Sequence, residues 1–266
     1  MNIVLTGATS GIGLATLKLL ISKGHTVIAT GRNIDNPTYQ HDQVKWYALD
    51  IASEVSRNSF YETVTRDFPL IDGLINNAGY GLVSAFEGSS DQDIRDQFET
   101  NYFGTVALTQ LFLPRFIAQK SGKILVVTSI GGRISFPFYG FYHGTKHALE
   151  GTFESLWFEL QGTGVGVKII EPGFTRTDFV SRSQRIGSID VLRLKKPFDR
   201  LMKRLATSKE GSQPEEIASV IYSALSSKNS RLRYHGGYLS YILILRRILP
   251  EGIFRWMIGS SLSVKD

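Results

Sequence analysis

A tyrosine and a lysine four residues apart are the pair in this sequence best placed to do chemistry. Tyr142 and Lys146 lie in the run Tyr-His-Gly-Thr-Lys, inside a stretch that predicts a helix over Tyr139–Leu160. Residues at this spacing project from one face of a helix. A free phenol has a pKa of about 10, and a neighbouring positive charge favours the phenolate and lowers that value. The pair therefore predicts proton transfer near neutral pH. The alternative is an amphipathic helix whose lysine lies along the surface. His143 is expected to be a structural or surface histidine, since this proton transfer needs no imidazole.

A glycine-rich turn follows the first predicted strand and leads directly into a helix. Its sequence over residues 6–13 is Thr-Gly-Ala-Thr-Ser-Gly-Ile-Gly. Glycine permits positive φ and close approach of the backbone to a pyrophosphate, and a helix N-terminus offers N–H groups with a partial positive charge. This context predicts a dinucleotide site. The alternative is that the glycines serve turn geometry alone. The residues expected to contact the cofactor here are Gly7, Thr9, Ser10, Gly11, Ile12 and Gly13.

The end of the second predicted strand indicates which dinucleotide binds. Dinucleotide-binding folds that take NAD place an acid there, which accepts from the adenosine ribose. In this sequence the position is Gly31, and Arg32 follows it. A guanidinium pairs with a 2′-phosphate through two charge-assisted hydrogen bonds, so we expect NADP(H). A solvated surface arginine is the alternative reading of Arg32.

The glycine spacing resembles the TGxxxGxG signature of the short-chain dehydrogenase/reductase family, and the likeness covers about residues 1–235. Three further segments are similar to family motifs. They resemble the Asp-Ile pair that holds the adenine ring, the NNAG motif along the cofactor and the PGxxxT segment beside the nicotinamide. The resemblance therefore adds these cofactor-binding residues: Asp50, Ile51, Asn77, Ala78, Gly79, Tyr142, Lys146, Pro172, Gly173, Thr175 and Thr177.

The same resemblance implies four catalytic residues, in the family's order: Asn101, Ser129, Tyr142 and Lys146. It implies that Ser129 orients a substrate carbonyl and that Asn101 supports a water linking Lys146 to solvent. In reduction, the nicotinamide would deliver hydride to the carbonyl carbon while Tyr142 protonates the oxygen. Lys146 would also hold the nicotinamide ribose. The segment Ser129–Gly151 resembles hydroxysteroid and retinol dehydrogenase-like members.

Short apolar runs alternate with longer helical stretches around these residues. The predicted strands are Asn2–Thr6, His25–Thr30, Val44–Asp50, Asp72–Asn76, Lys123–Thr128, Val165–Glu171 and Leu232–Tyr234. The predicted helices are Ile12–Lys23, Val55–Asp67, Asp91–Phe116, Tyr139–Leu160 and Pro214–Ser226. Several strands lack apolar–polar alternation, as is typical of parallel strands buried on both faces. The pattern predicts an α/β fold with a Rossmann-like, doubly wound parallel sheet, in a single domain over residues 1–266.

Composition excludes several classes of protein. The 266 residues include no cysteine, which excludes disulfides, thiol catalysis and cysteine-ligated zinc, and no metal site is expected. The N-terminus lacks the pattern of a signal peptide, and the apolar patch Tyr238–Leu249 is shorter than the roughly 20 residues that cross a bilayer. We therefore expect a cytoplasmic protein. A net charge of +6 fits an anionic cofactor, and no nucleic-acid-binding module is evident.

The stretch of about residues 174–211 is interpreted as a substrate lid without a strand. Between residues 176 and 209 it carries ten basic and three acidic side chains. Its apolar residues recur at helical spacing: Val191, Leu194, Phe198, Leu201, Met202 and Leu205. With Phe174 and Phe179, this stripe is predicted to cover a bulky apolar substrate. The alternative is a surface helix packed on the core.

Two kinds of association are also expected. The helices Asp91–Phe116 and Tyr139–Leu160 are apolar on more than one face, and the family resemblance implies that they form the interface of a homodimer or homotetramer. Burial within one subunit is the alternative. The basic lid, together with an apolar C-terminal tail over about residues 236–266, predicts peripheral contact with a membrane surface.

Two other functions stay open at this point. One is a regulator that binds NADP(H) and senses it without turnover. The other is an enzyme of a different reaction type, such as an epimerase or dehydratase. The presence of all four catalytic residues disfavours the first, and the glycine spacing and modest length disfavour the second. We therefore expect an alcohol/carbonyl oxidoreductase, in effect a carbonyl reductase.

Overall fold

The computed structural model describes residues 1–37, 39–176, 184–186, 192–207 and 211–261. The strands within these ranges are β1 (Asn2–Leu5), β2 (Thr26–Gly31), β3 (Val44–Ala48), β4 (Gly73–Asn76), β5 (Gly81–Val83), β6 (Gly122–Val127), β7 (Val165–Pro172), β8 (Gln184–Ile186) and β9 (Arg233–Gly236). The α-helices are α1 (Gly11–Ser22), α2 (Glu54–Asp67), α3 (Asp91–Phe98), α4 (Gly104–Gln119), α5 (Gly140–Glu159), α6 (Leu192–Thr207), α7 (Pro214–Ser226), α8 (Ile242–Ile248) and α9 (Glu251–Ser261).

Seven of the strands form one parallel sheet in the order β3-β2-β1-β4-β6-β7-β9. Helices cover both of its faces. Side chains of α2, α4 and α5 pack on one face, and side chains of α1 and α7 pack on the other. In β1, Val4 belongs to the first core while Ile3 and Leu5 belong to the second. Because successive residues enter two apolar cores, the strands show no alternation, and the predicted doubly wound α/β sheet is confirmed.

The single helix predicted over Asp91–Phe116 is wrong. The chain forms α3, then a π-helical turn over Glu99–Phe103, then α4. A π turn keeps the apolar pattern of the flanking helices nearly continuous, so periodicity does not reveal it. Such turns occur frequently at functional sites. Asn101 lies in the middle of this one.

The prediction that the lid region contains no strand is also wrong. Three residues of it form β8, which pairs in parallel with β5. A strand this short is stabilised by a partner about 100 residues earlier in the chain, so its own composition carries no strand signal. The remainder of the described lid is the helix α6. The predicted site and lid residues Thr177, Phe179 and Val191 lie outside the described residues.

The predicted tail forms two helices, α8 and α9, that pack on the body of the protein. Ile242, Phe254 and Ile258 are buried there against Ile130 and Ile134. No helix in the described part of the chain is both long enough and apolar enough to span a bilayer.

The apolar side chains of α5 divide between two environments. Phe153 is fully buried within the subunit, and Leu156 and Trp157 pack partly against the same core. Phe158, by contrast, is exposed. Intramolecular packing therefore explains most of this apolar surface, and association through the helix stays a prediction.

Candidate active site

The carboxyl ends of the sheet strands open into a cleft of about 1140 Å³. Doubly wound sheets bind ligands at this edge, in the crevice where the strand order reverses, and here β1 lies between β2 and β4. Small-molecule sites are commonly about 300–1,000 Å³, so the cleft has room for a dinucleotide and part of a substrate. The predicted residues that line it are Gly7, Thr9, Ser10, Gly11, Ile12, Gly13, Arg32, Asp50, Ile51, Asn77, Ala78, Gly79, Ser129, Tyr142, Lys146, Pro172, Gly173 and Thr175.

The glycine turn leaves space for a ligand and none for side chains of its own. Gly7 and Gly11 have φ values of +67° and +52°, which favour glycine. A Cβ on Gly13 would lie 2.0 Å from the Gly7 carbonyl oxygen. Ser10, at the N-cap of α1, makes no capping hydrogen bond through its side chain. The first-turn amides therefore face the cleft, and the turn fits the pyrophosphate of a dinucleotide.

A network around Thr6 clamps this turn to the end of β4. The Thr6 hydroxyl accepts hydrogen bonds from the backbone N–H groups of Asn77 and Ala78, each at 2.9 Å. The Asn77 side-chain amide donates to the carbonyl oxygens of Thr6 and Gly7. Asn77 thus acts through the geometry of the glycine turn. Sequence reasoning missed Thr6, although its place at the head of the motif was a usable signal.

The adenosine end of the cleft contains no acidic group at the end of β2. A Cβ on Gly31 would lie 2.5 Å from Thr9 Cγ2, so a larger residue there would displace Thr9. Arg32 is exposed beside it. Asp50 Oδ1 accepts from the Ala52 amide at 3.0 Å, which orients that carboxylate at the cleft wall.

Tyr142, Ser129 and Lys146 come together at the deep end of the cleft. Ser129 follows β6, and its hydroxyl accepts from the Gly131 amide at 3.0 Å and bonds to the Tyr142 hydroxyl. Lys146 Nζ lies 5.8 Å from the centroid of the Tyr142 ring and donates to the Val127 carbonyl at 2.9 Å. The strand end and the helix therefore place a hydroxyl, a phenol and an amine around one point.

Burial controls the protonation of the phenol and the amine. It raises the pKa of Tyr142 to about 12, against the opposing effect of the hydrogen bond from Ser129. It lowers the pKa of Lys146 to about 8, although the Glu150 carboxylate acts the other way. The predicted lowering by Lys146 and an oxidised nicotinamide concerns the cofactor complex and stays a prediction, whereas the residues alone do not lower the phenol's pKa. The reason is that desolvation of the phenolate outweighs an ammonium that is bonded elsewhere.

Asn101 is fully buried beside the cleft, with its side chain bonded on both sides. Its Oδ1 accepts from the Tyr80 amide at 3.0 Å, while its Nδ2 donates to the Tyr80 carbonyl and to Thr145 Oγ1. A Cβ on Gly79 would approach both Asn101 Oδ1 and Lys146 Nζ. Asn101 thus ties the π turn to α5 one residue from Lys146.

His143 proves to be an interior residue. Its ring is 4% exposed, and burial lowers its pKa to about 4, so it is neutral at physiological pH. A Cβ on Gly131 would lie 2.3 Å from His143 Nδ1. The histidine therefore packs directly under the loop that carries Ser129, and that loop requires glycine at this point.

An ionic network that sequence reasoning missed supports the same loop. Arg233 donates to Glu150 at 2.9 Å and forms a bidentate pair with Glu154. Arg133 pairs with the buried Glu171 at 3.2 Å. Burial, followed by repulsion from Glu150, raises the pKa of Glu171 to about 7. These residues are spread over 100 positions, so no local pattern pointed to them.

The helix α6 of the predicted lid lies against Tyr142. Phe198 and Leu201 are buried with Val83 and Tyr139 in a small cluster, and Tyr142 packs partly against it. An ion pair between Arg193 and Glu87 also holds the helix. Three residues of the apolar stripe predicted for the lid, Phe198, Leu201 and Met202, therefore reach the site, whereas the stripe's role in substrate binding stays a prediction.

Comparison with known proteins settles the family. The family model for short chain dehydrogenases matches residues 1–186. The chain belongs to the short-chain dehydrogenase family. It is therefore an NAD(P)-dependent oxidoreductase, with the fold and glycine turn of that family.

Curated relatives match this short-chain dehydrogenase over most of their length. An uncharacterized oxidoreductase of Schizosaccharomyces pombe is 37% identical over 210 residues, which cover 77% of this chain and 87% of that protein. A 3-ketodihydrosphingosine reductase of Bacteroides thetaiotaomicron is 29% identical over 260 residues, covering 96% of this chain and 95% of its own.

Solved structures share the whole architecture. A short-chain dehydrogenase from Streptomyces avermitilis has a TM-score of 0.82 at 27% identity, covering 99% of this chain and 97% of its own. A serine dehydrogenase complexed with NADP+ has a TM-score of 0.77 at 24% identity, covering 90% and 96%. A short-chain dehydrogenase/reductase from Burkholderia phymatum in complex with NAD has a TM-score of 0.78 at 22% identity, covering 92% and 90%.

Proposed function

We propose that this protein interconverts an alcohol and a carbonyl with NADP(H), using Tyr142 as the general acid and base. The observation that carries the proposal is the placement of the Tyr142 hydroxyl. It bonds to Ser129 inside the cleft that the glycine turn opens, one helical turn from Lys146. A dinucleotide sensor without turnover would have no use for this arrangement.

In the direction of reduction, a bound nicotinamide would supply the hydride that adds to the carbonyl carbon. Ser129 donates a hydrogen bond to the carbonyl oxygen and holds it beside Tyr142. The Tyr142 hydroxyl then gives its proton to that oxygen, which completes the alcohol. Burial raises the pKa of the Tyr142 phenol and so keeps it in the protonated form that the reduction requires.

Lys146 restores the proton on Tyr142. Because its pKa is lowered to about 8, its ammonium loses a proton at modest cost. Lys146 Nζ also reaches the cleft, where it would hold the nicotinamide ribose. The Asn101 side chain positions this part of α5 through Thr145.

The choice of NADP(H) rests on the end of β2. Gly31 faces Thr9 so closely that an acid, which would repel a 2′-phosphate, does not fit without rearrangement. Arg32 offers the guanidinium that pairs with that phosphate. Structural relatives exist in complexes with NADP+ and with NAD, so the choice depends on these local residues.

A bulky apolar substrate follows from the walls at the Tyr142 end of the cleft. Phe136, Tyr139 and Phe174 line it, and Phe198 of the lid packs beside them. Aromatic walls of this kind bind a ligand mainly by removing its apolar surface from water, which stabilises the complex. The relative named for reducing 3-ketodihydrosphingosine supports a substrate of this class.

The test is a turnover assay with NADPH and NADH over steroids, retinoids, acyl ketones and small aldehydes. Tyr142→Phe should lower kcat by about 10²–10⁴-fold, because the ring still packs but no longer exchanges a proton. NADPH affinity, measured by fluorescence titration, should stay unchanged. Ser129→Ala and Lys146→Ala should also be severely impaired, and Lys146→Ala should weaken NADPH binding as well.

The matched control is Tyr102→Phe, which removes a hydroxyl that bonds to Thr152 on α5, the helix that also carries Tyr142. It should keep nearly full activity. Substantial turnover by Tyr142→Phe would refute the assignment of the general acid.

A further inference from the structure

The outward face of α8 and α9 is unusually apolar for a surface. Five large side chains there are more than half exposed, and we call them the tail surface: Tyr241, Ile244, Ile248, Ile253 and Trp256. They are a third of all the exposed large apolar residues in the described part of the chain. Clustered exposed apolar residues mark an interaction site, whereas scattered ones need no explanation.

The tail surface is not needed to attach the two helices. Ile242, Phe254 and Ile258 already do that, because they are buried on the opposite side against Ile130 and Ile134. Each helix therefore has two apolar faces, one docked and one uncovered. An apolar face of this size is normally covered by a partner.

The charges around the tail surface indicate which partner fits. Arg246, Arg247 and Arg255 are exposed on the same two helices. The sequence from residue 236 to residue 261 contains one acid, Glu251, and it pairs with Arg255 at 2.8 Å. Arginines beside tyrosine, tryptophan and isoleucine match the interface of an anionic bilayer, where headgroups attract cations and the aromatic rings sit at headgroup level.

The docked side of α8 and α9 adjoins the substrate end of the cleft. Ile130 and Phe136 line the cleft and also pack in the cluster that holds α8 and α9. Phe174, another lining residue, pairs through its backbone with Tyr238, and both side chains are partly exposed. The apolar cluster that holds α8 and α9 thus borders the cleft close to Tyr142.

We propose that the tail surface docks on an anionic lipid bilayer, with α8 and α9 lying in the plane of its interface. The cleft then opens beside the membrane, and an apolar carbonyl compound enters it directly from the lipid. This second step rests on the proposed function, whereas membrane docking does not. The arrangement is peripheral, in keeping with two short helices whose opposite face is bound to the protein.

The experiment is flotation of the full-length protein with vesicles of phosphatidylcholine, with and without phosphatidylglycerol. The wild type should bind the anionic vesicles, and added salt should weaken binding. Ile244→Ser with Trp256→Ser should lower the vesicle partition coefficient by about tenfold or more, because two anchors are lost. Arg246→Gln with Arg247→Gln should reduce binding to anionic vesicles and remove most of its salt dependence.

The matched control is Val55→Ser with Leu70→Ser, which removes two apolar side chains that are also more than half exposed and lie outside the tail. It should bind vesicles as the wild type does. Circular dichroism and NADPH titration establish that every variant is folded. Absence of flotation, or unchanged flotation of the Ile244/Trp256 variant, would overturn the proposal. Loss of dimers in that variant without vesicle binding would overturn it in favour of a second copy as the partner.

Vesicle binding is measured without cofactor or substrate, so its failure is separate from failure of the proposed function. A second readout tests delivery. The Ile244/Trp256 variant should reduce an apolar ketone dissolved in anionic vesicles more slowly than the wild type does. Its rate with a small water-soluble aldehyde should not change. Equal rates with the vesicle-borne ketone would show that the substrate does not enter from the membrane.

Discussion

The glycine turn of the cleft and the C-terminal tail are built in different ways. Around the glycine turn, backbone packs on backbone, and a Cβ on Gly13 would lie 2.0 Å from a carbonyl oxygen. In the tail, Gly252 and Gly259 have nothing within 4 Å of an added Cβ. Main-chain contacts fix the conformation of the glycine turn. The tail is held by a small cluster of apolar side chains and leaves its other face uncovered.

This difference teaches how one fold serves many substrates. The residues that line the dinucleotide cleft lie at strand ends and on the first turns of helices, where the backbone itself makes the contacts. We expect discrimination among substrates to fall to α6, which attaches through side chains and tolerates change.

The largest expected contrast comes from matched glycine substitutions in the two regions. Gly13→Ala should weaken NADPH binding by about 100-fold, since the Gly7 backbone has to move away from the pyrophosphate. Gly252→Ala should leave NADPH binding unchanged and raise the free energy of unfolding by up to about 1 kcal/mol, because alanine favours the helix. Fluorescence titration and urea unfolding measure the two effects. Equal NADPH affinity in the two variants would show that the glycine turn is no more constrained than the tail.

The next effect concerns the adenosine end. Arg32→Ala should raise the Kd for NADPH by about 10–100-fold, in line with the loss of hydrogen bonds to a charged group. The Kd for NADH should stay within about twofold, because NADH has no 2′-phosphate. Lys45→Ala removes the same charge from an exposed position on β3 and serves as the control. An equal increase in Kd for NADPH and NADH would show that Arg32 does not bind the 2′-phosphate.

Substitutions in the predicted lid helix α6 should have a smaller effect, limited to the KM for large substrates. Phe198→Ala with Leu201→Ala should raise KM for bulky apolar substrates by about tenfold while leaving KM for NADPH as it is. Phe254→Ala removes a similarly buried ring from the tail cluster, away from Tyr142, and controls for lost stability. An unaltered KM for large substrates in the lid variant would rule out a lid.

The smallest expected effect is on stability and depends on pH. The pKa of Glu171 is raised to about 7, so its protonated form favours folding, and this contribution is present below about pH 4.5 and lost as pH rises through 7. Glu171→Gln cannot ionise. As the pH rises from about 4.5 to 7, the free energy of unfolding of this variant should therefore increase relative to that of the wild type, by on the order of 1–3 kcal/mol. Urea unfolding at a series of pH values checks this, and a constant difference would show that Glu171 does not titrate there.

The sequence by itself determined the features that depend on near neighbours in the chain. Apolar runs predicted the sheet strands, because each strand is buried by helices on both faces. The glycine spacing predicted the turn before α1, and the four-residue spacing of Tyr142 and Lys146 placed both on one helical face. Each of these signals lies within a few residues, where helix and strand periodicity apply.

Only the tertiary structure decided the features that depend on remote partners. The π turn at Asn101 is stabilised by contacts to Tyr80 and Thr145, and β8 exists because β5 lies beside it. The Tyr142 pKa is raised by burial that several separate elements create together. The uncovered face of α8 and α9 also depends on remote partners, because contacts with Ile130 and Ile134 determine which side of these helices is buried. Long-range packing selects among locally acceptable alternatives, and no window of sequence contains both partners.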